Sequence, residues 1–422
     1  MQSTWLRTLP GAANRMMASA FPFLLLLLLL AGCSPARHYE AALVLQDFAA
    51  ERGESRLKRS TPAPLRQSVT YTVSGHAHGG DLYLPGPLAG CALPDAAAAV
   101  TRGEHCPRAA IVAVPGAVPL SKDDPRLVAF ATTLARAGFA VLAPEIAGFR
   151  ELRIRPSDAR EIADAFAYLS SRPELAPGGR AGMFAFSYSV GPALLAALED
   201  DIRERVRYLV GVGGYHDLQR AMRFFTTGWF VHEGRWHRLT PDDSGRMVLA
   251  YSSLDYLAEG QAATAPDRAL FDRMVELRSR DPAADLTPLA AQLSKPAQAV
   301  YALGVNGDPA RFAELFSCLP AAMRADLDQL NLARHDLKPL RARLMLVHGR
   351  NDNLIPYPES LALAAAVPQG QARVFLIHRV LGHVDLSFSS LFSWRFWNED
   401  LPDLWRLWQV IDLLLAQREA SP

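Results

Sequence analysis

The chain has 422 residues, 50% of them hydrophobic, and its formal net charge at neutral pH is +1. This length can supply a large buried core and is too great for one small domain. The near-zero charge, with no basic stripe along the sequence, argues against nucleic acid as a partner.

The first residues have the features of an export signal. Arg7 and Arg15 precede an apolar run from Phe21 to Leu30, which ends in seven successive leucines. The run is too short for a stable membrane span, and its flanks are typical of a secretory signal peptide. The chain then continues as Ala31-Gly32-Cys33.

This ending resembles a bacterial lipobox, in which the cysteine is acylated and becomes the first residue of the mature protein. The resemblance implies a signal peptide over residues 1–32, lipidation of Cys33, and anchoring to a lipid bilayer. Ser34, in place of an aspartate after the cysteine, implies an outer-membrane position facing the periplasm. An ordinary signal peptide with a chance cysteine is the alternative. Residues 33–66 are predicted to form a tether and linker, with helical periodicity over Tyr39–Arg52 and a charged, proline-containing stretch over Glu51–Arg66.

Residues 67–214 show alternating strand and helix patterns. The predicted strands are Val69–Val73, Asp81–Leu84, Ala109–Val114, Phe139–Leu142, Gly182–Phe186 and Val206–Val212. The run Ala109–Val114 is apolar throughout, as expected of a strand buried on both faces. Asp124 and Pro125 mark the start of one intervening helix, and Gly138 marks its end.

The alternation stops near Tyr215, and residues 215–340 are predicted to form a helical cap or lid inserted into the core. It returns over residues 341–422. The predicted elements there are a strand over Leu344–Val347, a helix over Glu359–Ala366, a strand over Arg373–Ile377 and a helix over Leu404–Gln417. This order predicts an α/β fold, a mostly parallel sheet with helices on both faces.

Four tryptophans fall within the last predicted helix and the segment before it: Trp394, Trp397, Trp405 and Trp408. A helix that touches a membrane is one interpretation of this cluster. Packing of the helix against the sheet is favoured, because Leu404, Val410 and Leu413 share it.

Ser187 lies where a strand pattern meets a helix pattern, with Ala185 two positions before it and Ser189 two positions after it. A sharp strand-to-helix turn leaves room only for small residues at those two positions. Such a turn exposes the hydroxyl to a histidine that can activate it. Ser187 is therefore the candidate nucleophile, and a helix N-cap is the alternative role.

Two further candidates follow later strands. Asp352 lies in the loop after the strand Leu344–Val347, within the sequence His-Gly-Arg-Asn-Asp that starts at His348. His383 follows Gly382, shortly after the strand Arg373–Ile377. The carboxyl ends of parallel strands share one edge of a sheet, where ligands bind in open α/β folds.

This ordered set of serine, acid and histidine resembles the α/β-hydrolase superfamily of serine esterases and lipases, over residues 69–417 with the lid as an interruption. The resemblance implies the α/β-hydrolase fold. It also implies a serine hydrolase that acts on a carboxylic ester or related acyl bond of a small-molecule substrate and needs no cofactor. It implies Ser187 as nucleophile, His383 as general base and Asp352 as the acid that orients the base. The implied oxyanion donors are the N–H groups of Tyr188 and Ala117, with Val118 as an alternative to Ala117.

Other assignments remain open at this stage. Asp217, after an earlier strand, is a substitute for Asp352 as the acid, and Ser189 is a substitute for Ser187. His348 and His378 are expected to be structural. The functional alternatives are a non-catalytic α/β-hydrolase fold that binds an envelope ligand, and an acyltransferase that uses the same triad.

The remaining cysteines carry one further expectation. Cys91 and Cys106 bracket a loop-like stretch and could bridge each other in an exported protein, which leaves Cys318 unpaired. The sequence has no pair of closely spaced cysteines and no cluster of histidine and cysteine at metal-binding spacing, so no structural zinc is expected.

Overall fold

A computed structural model describes residues 35–86, 106–258, 261–281, 283–382, 394 and 396–419, with the side chains of 261–263 and 396 excepted. Its main feature is a sheet of eight strands. They are β1 (Leu65–Val73), β2 (His76–Leu84), β3 (Ala109–Val114), β4 (Phe139–Pro144), β5 (Ala181–Phe186), β6 (Tyr208–Val212), β9 (Arg343–Gly349) and β10 (Ala372–Ile377), with β7 and β8 in the cap described below. The spatial order is β1-β2-β4-β3-β5-β6-β9-β10.

The sheet is parallel from β4 to β10, and only β2 runs antiparallel to its neighbours β1 and β4. All six residues of β3 are buried, as are all five of β6. Strands buried on both faces are expected where helices cover the two sides of a parallel sheet. The predicted α/β class, with its mostly parallel sheet, is confirmed.

Fourteen helices are described. They are α1 (Pro35–Ala50), α2 (Arg56–Ser60), α3 (Pro125–Arg136), α4 (Ser157–Ser170), α5 (Val190–Ala196), α6 (Leu218–Thr227), α7 (Ser244–Ser253), α8 (Gln261–Arg280), α9 (Thr287–Ala290), α10 (Lys295–Gly304), α11 (Phe312–Ser317), α12 (Ala321–Gln329), α13 (Pro358–Ala366) and α14 (Leu401–Ala416). One face of the sheet is covered by α1, α3 and α14. The other is covered by α4, α5 and α13. Together with the strand order, this two-sided cover is the α/β-hydrolase fold.

The segment between the predicted signal and the sheet is folded where the structure describes it, so its assignment as a tether and linker over residues 33–66 is wrong from Pro35 onward. Helix α1 buries Ala41 and Val44 against the sheet side that α14 covers. Buried Asp47 accepts hydrogen bonds from the hydroxyls of Ser55 (2.5 Å) and Thr133 (2.7 Å). These contacts make residues 35–60 part of the body.

The cap over residues 215–340 is mostly helical, from α6 to α12, but it also contains a hairpin that the sequence analysis did not predict. Strands β7 (Trp229–His232) and β8 (Arg235–Arg238) pair antiparallel. Glu233 and Gly234 both have positive φ, at 50° and 74°. Two residues with positive φ form the tight turn whose twist matches that of a hairpin.

The cap is fastened to the body beside the sheet edge where parallel strands end. The carboxylate of Asp255 accepts hydrogen bonds from Arg153 (2.7 Å) and Arg155 (2.9 Å), in the loop after β4. The hydroxyl of Ser252 accepts from the N–H of Ile154 (3.1 Å). The cap is thereby held above the carboxyl ends of the central strands. Among the described helices, none is both long and apolar enough to cross a bilayer.

Candidate active site

Ser187 occupies the turn between β5 and α5 and has a φ of +56°. The residue before it is still extended, with φ −118° and ψ 137°, and Val190 is already helical. A positive φ is unfavourable for a residue with a Cβ and is kept only where the surroundings enforce it. The chain therefore reverses sharply at a half-buried serine, and its side chain stands at the carboxyl edge of the sheet.

Both small residues that flank Ser187 have a local explanation. Ala185 is fully buried within β5. The Ser189 hydroxyl is also fully buried and donates a hydrogen bond to the carbonyl of Pro115. Ser189 thus ties the elbow to the loop after β3. A hydroxyl that is buried and donating to a carbonyl is poorly placed to attack a substrate, which favours Ser187 over Ser189 as the nucleophile.

The loop after β3 lies against the elbow. A Cβ built at Gly116 would sit 4.0 Å from the Cβ of Ser187. Among the hydrogen bonds between described residues, none uses the N–H of Ala117 or of Tyr188 as a donor. Tyr188 is at the start of a helical turn, where N–H groups have no partner within the helix. Both residues line the same cavity as Ser187.

The side chain of Tyr188 is fixed beneath the site by an acid that sequence analysis missed. The hydroxyl of Tyr188 donates to Oδ2 of Asp158 (2.9 Å), which also accepts from the N–H of Arg155 (3.0 Å). Oδ1 of Asp158 is buried and has no hydrogen-bond partner among the described residues. Burial raises the pKa of Asp158 to about 7. Its place in the first turn of α4 suggests a capping residue, and no sequence pattern shows that this turn is buried.

Asp352 is fully buried in the loop after β9. Its Oδ1 accepts hydrogen bonds from the N–H groups of Leu354 and Ile355, both at 2.9 Å. Nε2 of His348 lies 3.3 Å from its Oδ2 and donates to the carbonyl of Ile355 (2.8 Å), and the hydroxyl of Ser360 donates to Nδ1 of His348 (2.7 Å). His348 thus holds the acid loop in shape, as expected of a structural histidine.

The substitute acid, Asp217, has a different environment. Its carboxylate caps α6 by accepting from the N–H groups of Gln219 (3.0 Å) and Arg220 (3.3 Å) and from the amide of Asn331 (3.1 Å). Neither Asp217 nor Asp352 itself lines the cavity that contains Ser187. Asp217 acts as a helix cap, and the role of Asp352 as the acid stays a prediction.

His383 lies outside the described residues, but the two residues before it are placed. A Cβ built at Gly349, three residues before Asp352, would overlap the carbonyl oxygens of Leu381 and Gly382. The chain that leads into His383 therefore passes directly against the start of the acid loop.

A cavity of about 730 Å³ opens at Ser187 and brings these segments together. Ser187, Tyr188, Ala117, Ile355 and Gly382 all line it. The cap contributes apolar side chains to its wall: Met222, Phe225, Val248, Leu249, Met323 and Leu327. A second part of the wall belongs to the opposite side of the sheet: Phe48, Phe130, Leu407, Val410, Ile411 and Leu414. The lining suits a ligand with a large apolar portion.

The structure describes two of the four cysteines. Cys106 is in a disulfide, and Cys318 is free and exposed. The predicted partner Cys91 and the predicted lipidation site Cys33 lie outside the described residues. The described residues contain no group of three His, Cys, Asp or Glu side chains that could hold a metal ion.

No protein-family model matches the chain, and no curated protein matches its sequence. Several solved structures have a weak similarity to the chain. A putative hydrolase from Legionella pneumophila is 12% identical with a TM-score of 0.48, and the match covers 87% of this chain and 95% of that one. An esterase from Pyrobaculum calidifontis is 13% identical with a TM-score of 0.42, covering 91% and 90%. A dienelactone hydrolase from Anabaena variabilis is 14% identical with a TM-score of 0.38, covering 83% and 97%. At these identities, no activity of those proteins is carried over to this chain.

Proposed function

We propose that the protein is a serine hydrolase that cleaves a carboxylic ester or related acyl bond. Ser187 attacks the acyl carbonyl, His383 takes the serine proton and passes it to the leaving group, and Asp352 orients the histidine. The observation that carries this proposal is the positive φ of Ser187, a half-buried hydroxyl held on a strained turn at the floor of a cavity. Strain of this kind concentrates at functional sites.

The proposed oxyanion site consists of the N–H groups of Tyr188 and Ala117. Each such donor contributes about 3–4 kcal/mol to stabilisation of the transition state. The hydrogen bond from Ser189 to Pro115 fixes the loop that carries Ala117 relative to the turn that carries Tyr188. The hydrogen bond to Asp158 holds the side chain of Tyr188. The site is thus built before substrate binds, as electrostatic catalysis requires.

The cavity lining indicates the substrate class. Its wall near Ser187 is apolar on the cap side and apolar again on the α14 side. We therefore propose an ester with an apolar acyl or alcohol group. The apolar run that ends at Leu30 and the sequence Ala31-Gly32-Cys33 after it support export and lipidation. We propose a lipidated Cys33 in a bacterial envelope, on the outer membrane and facing the periplasm.

Turnover of p-nitrophenyl esters tests the enzyme proposal. Ser187→Ala and His383→Ala are each expected to lower kcat about a thousandfold or more. The matched control is Ser189→Ala, which keeps the triad and is expected to retain far more activity. Wild-type turnover in both triad variants would contradict the proposal. Product analysis with a competing alcohol distinguishes hydrolysis from acyl transfer. The mass of the N-terminal peptide of the exported protein shows whether Cys33 carries lipid.

A further inference from the structure

The C-terminal segment exposes an unusual number of large apolar side chains. Trp394 is 73% exposed, Trp397 61%, Leu401 42% and Trp405 57%. These four residues, which we name the C-terminal aromatic surface, lie within twelve consecutive positions. Contiguous apolar patches on a protein surface usually mark a contact with a partner or a membrane. The favoured packing of α14 against the sheet is correct, but Trp405 on this helix and Trp394 and Trp397 before it are exposed.

The exposure follows from the way α14 is held. Its opposite face buries Val410, Ile411, Leu414 and Leu415 against the sheet. On the outer side, the rings of Trp405 and Trp408 stack at 4.7 Å. The Nε1–H of Trp408 donates to the carbonyl of His38 (3.0 Å). The rotation of α14 is therefore fixed, and Trp405 cannot turn inward without breaking the packing beneath it.

The same contacts place the start of the described chain beside Trp408 and Asp412 of α14. Helix α1 begins at Pro35, two residues after Cys33. Arg37 in its first turn donates to Asp412 of α14 (2.9 Å), and the ring of His38 lies 5.3 Å from that of Trp408. Two residues of chain span at most about 7 Å. A lipid attached to Cys33 must therefore leave the protein close to the first turn of α1 and hence to α14.

The charges nearby do not suit an acidic partner. Arg37 pairs with Asp412, Arg379 with Asp400 and Arg406 with Asp403. Each of these arginines is thus balanced within the protein. With these three arginines paired, the described part of this surface fits the interface of a bilayer, where the amphipathic indole ring is favoured, better than it fits a nucleic acid or an anionic protein.

We infer that the C-terminal aromatic surface lies on the phospholipid bilayer, with Trp394, Trp397 and Trp405 in the headgroup region. This inference rests on the proposed lipid anchor, which would hold α14 against the membrane. The inner face of the same helix, through Leu407 and Val410, lines the cavity at Ser187. Docking would therefore bring the wall of that cavity next to the apolar phase from which an apolar ester would come.

Fluorescence quenching by brominated lipid tests this inference. The exported protein is reconstituted into vesicles of zwitterionic phosphatidylcholine, with and without bromine on the acyl chains. Wild-type tryptophan emission is expected to be quenched, and Trp394→Ser/Trp397→Ser/Trp405→Ser is expected to lose more than half of the quenching. The matched control is Trp236→Ser on the cap hairpin, an exposed tryptophan at 52%. It is expected to leave the quenching unchanged, as is roughly 0.5 M salt, which screens attraction between charges.

The outcomes separate the surface from the anchor. If Cys33 carries lipid and the wild-type protein and the triple variant are quenched equally, the aromatic surface does not contact the membrane. The proposed lipid anchor would then still hold. If Cys33 is unmodified and the triple variant loses the quenching that the wild-type protein shows, the aromatic surface contacts the membrane. The proposed lipid anchor would then be wrong. A third outcome is that the wild-type protein is not quenched and that light scattering shows it as a dimer and the triple variant as a monomer. The surface would then contact a second copy of the chain, and the inference would be wrong. Thermal melting checks that the variants are folded.

Discussion

Ser187 adopts a backbone conformation that costs a residue with a side chain about 1–2 kcal/mol. The surrounding contacts enforce it, since Ala185 is buried in β5 and Ser189 is bonded to Pro115. The sequence shows that the flanking residues are small, and this was sufficient to propose the turn. It does not show the strain, or that Ser189 has a fastening role of its own, because both depend on the position of the loop after β3.

The strain at Ser187 can be measured as stability. Ser187→Gly and Ser187→Ala both remove the hydroxyl, but only glycine accepts a φ of +56° without cost. We expect the glycine variant to exceed the alanine variant by about 1 kcal/mol in the free energy of unfolding. Urea denaturation of the two variants measures this difference. Equal stabilities would show that the turn is not strained.

Asp158 makes stability depend on pH. Its pKa is about 7 in the folded protein, against an ordinary value of 3.8. Between these two pH values the folded chain holds the proton more tightly than the unfolded chain, so this group favours folding at low pH. Its contribution is lost as pH rises towards 7, and above pH 7 burial of the charged form costs about 4 kcal/mol.

Asp158→Asn keeps an oxygen for Tyr188 and Arg155 and cannot ionise. We expect the free energy of unfolding of the variant, minus that of the wild-type protein, to rise by several kcal/mol between about pH 4 and pH 8. Urea denaturation across that range measures it, with the wild-type protein as the reference at each pH. A stability difference that does not change with pH would contradict a buried, neutral Asp158.

The strands at the centre of the sheet were the elements that sequence patterns located best. The boundaries of β3 were predicted without error, and those of β5 within one residue, because strands buried on both faces are continuous apolar runs. The edge strand β1 and its neighbour β2 are longer than predicted, since their polar and exposed residues hide the pattern. The hairpin β7–β8 was missed although Glu233-Gly234, between runs containing aromatic residues, is a turn signal.

The contact between the acid loop and the chain before His383 depends on Gly349. Its Cα lies so close to the carbonyl oxygens of Leu381 and Gly382 that a Cβ would force the two segments apart. We expect Gly349→Ala to lower both the melting temperature and ester turnover, because backbone atoms cannot give way as side chains do. The matched control is Gly304→Ala, where a Cβ would meet nothing within 4 Å. Full activity in Gly349→Ala would show that this contact does not position the site.

At the scale of the whole molecule, helices α1 and α14 pack together on one face of the sheet, and the cap lies over the edge of the sheet. The sequence predicts the cap as an insertion but does not predict that α1 packs beside α14. The charged and proline-containing residues after the signal suggest a linker, and only the position of α14 explains why α1 packs instead. The exposed tryptophans could not be distinguished from core residues, because apolar residues surround them in the sequence of α14 and of the segment before it.

The cap is held to the body by Asp255, which faces Arg153 and Arg155. Arg153 is nearly buried, and without Asp255 only Glu151, 3.1 Å from its Nε, remains as an ion-pair partner. We expect Asp255→Ala to lower the free energy of unfolding by about 2 kcal/mol and to speed proteolysis within the cap. The control is Asp200→Ala, whose side chain is 91% exposed beside Arg203 and whose loss should cost less than about 0.5 kcal/mol. Equal effects of the two substitutions would show that this pair does not fasten the cap.

The central claim is that Ser187 is an activated nucleophile. Reaction with a fluorophosphonate, followed by mass spectrometry of the labelled peptide, tests it most directly, since the reagent modifies only serines that a neighbouring base activates. We predict a single adduct on Ser187 in the wild-type protein, the same adduct in Ser189→Ala, and none in Ser187→Ala. An adduct on Ser189, or a folded wild-type protein that takes up no label, would contradict the account.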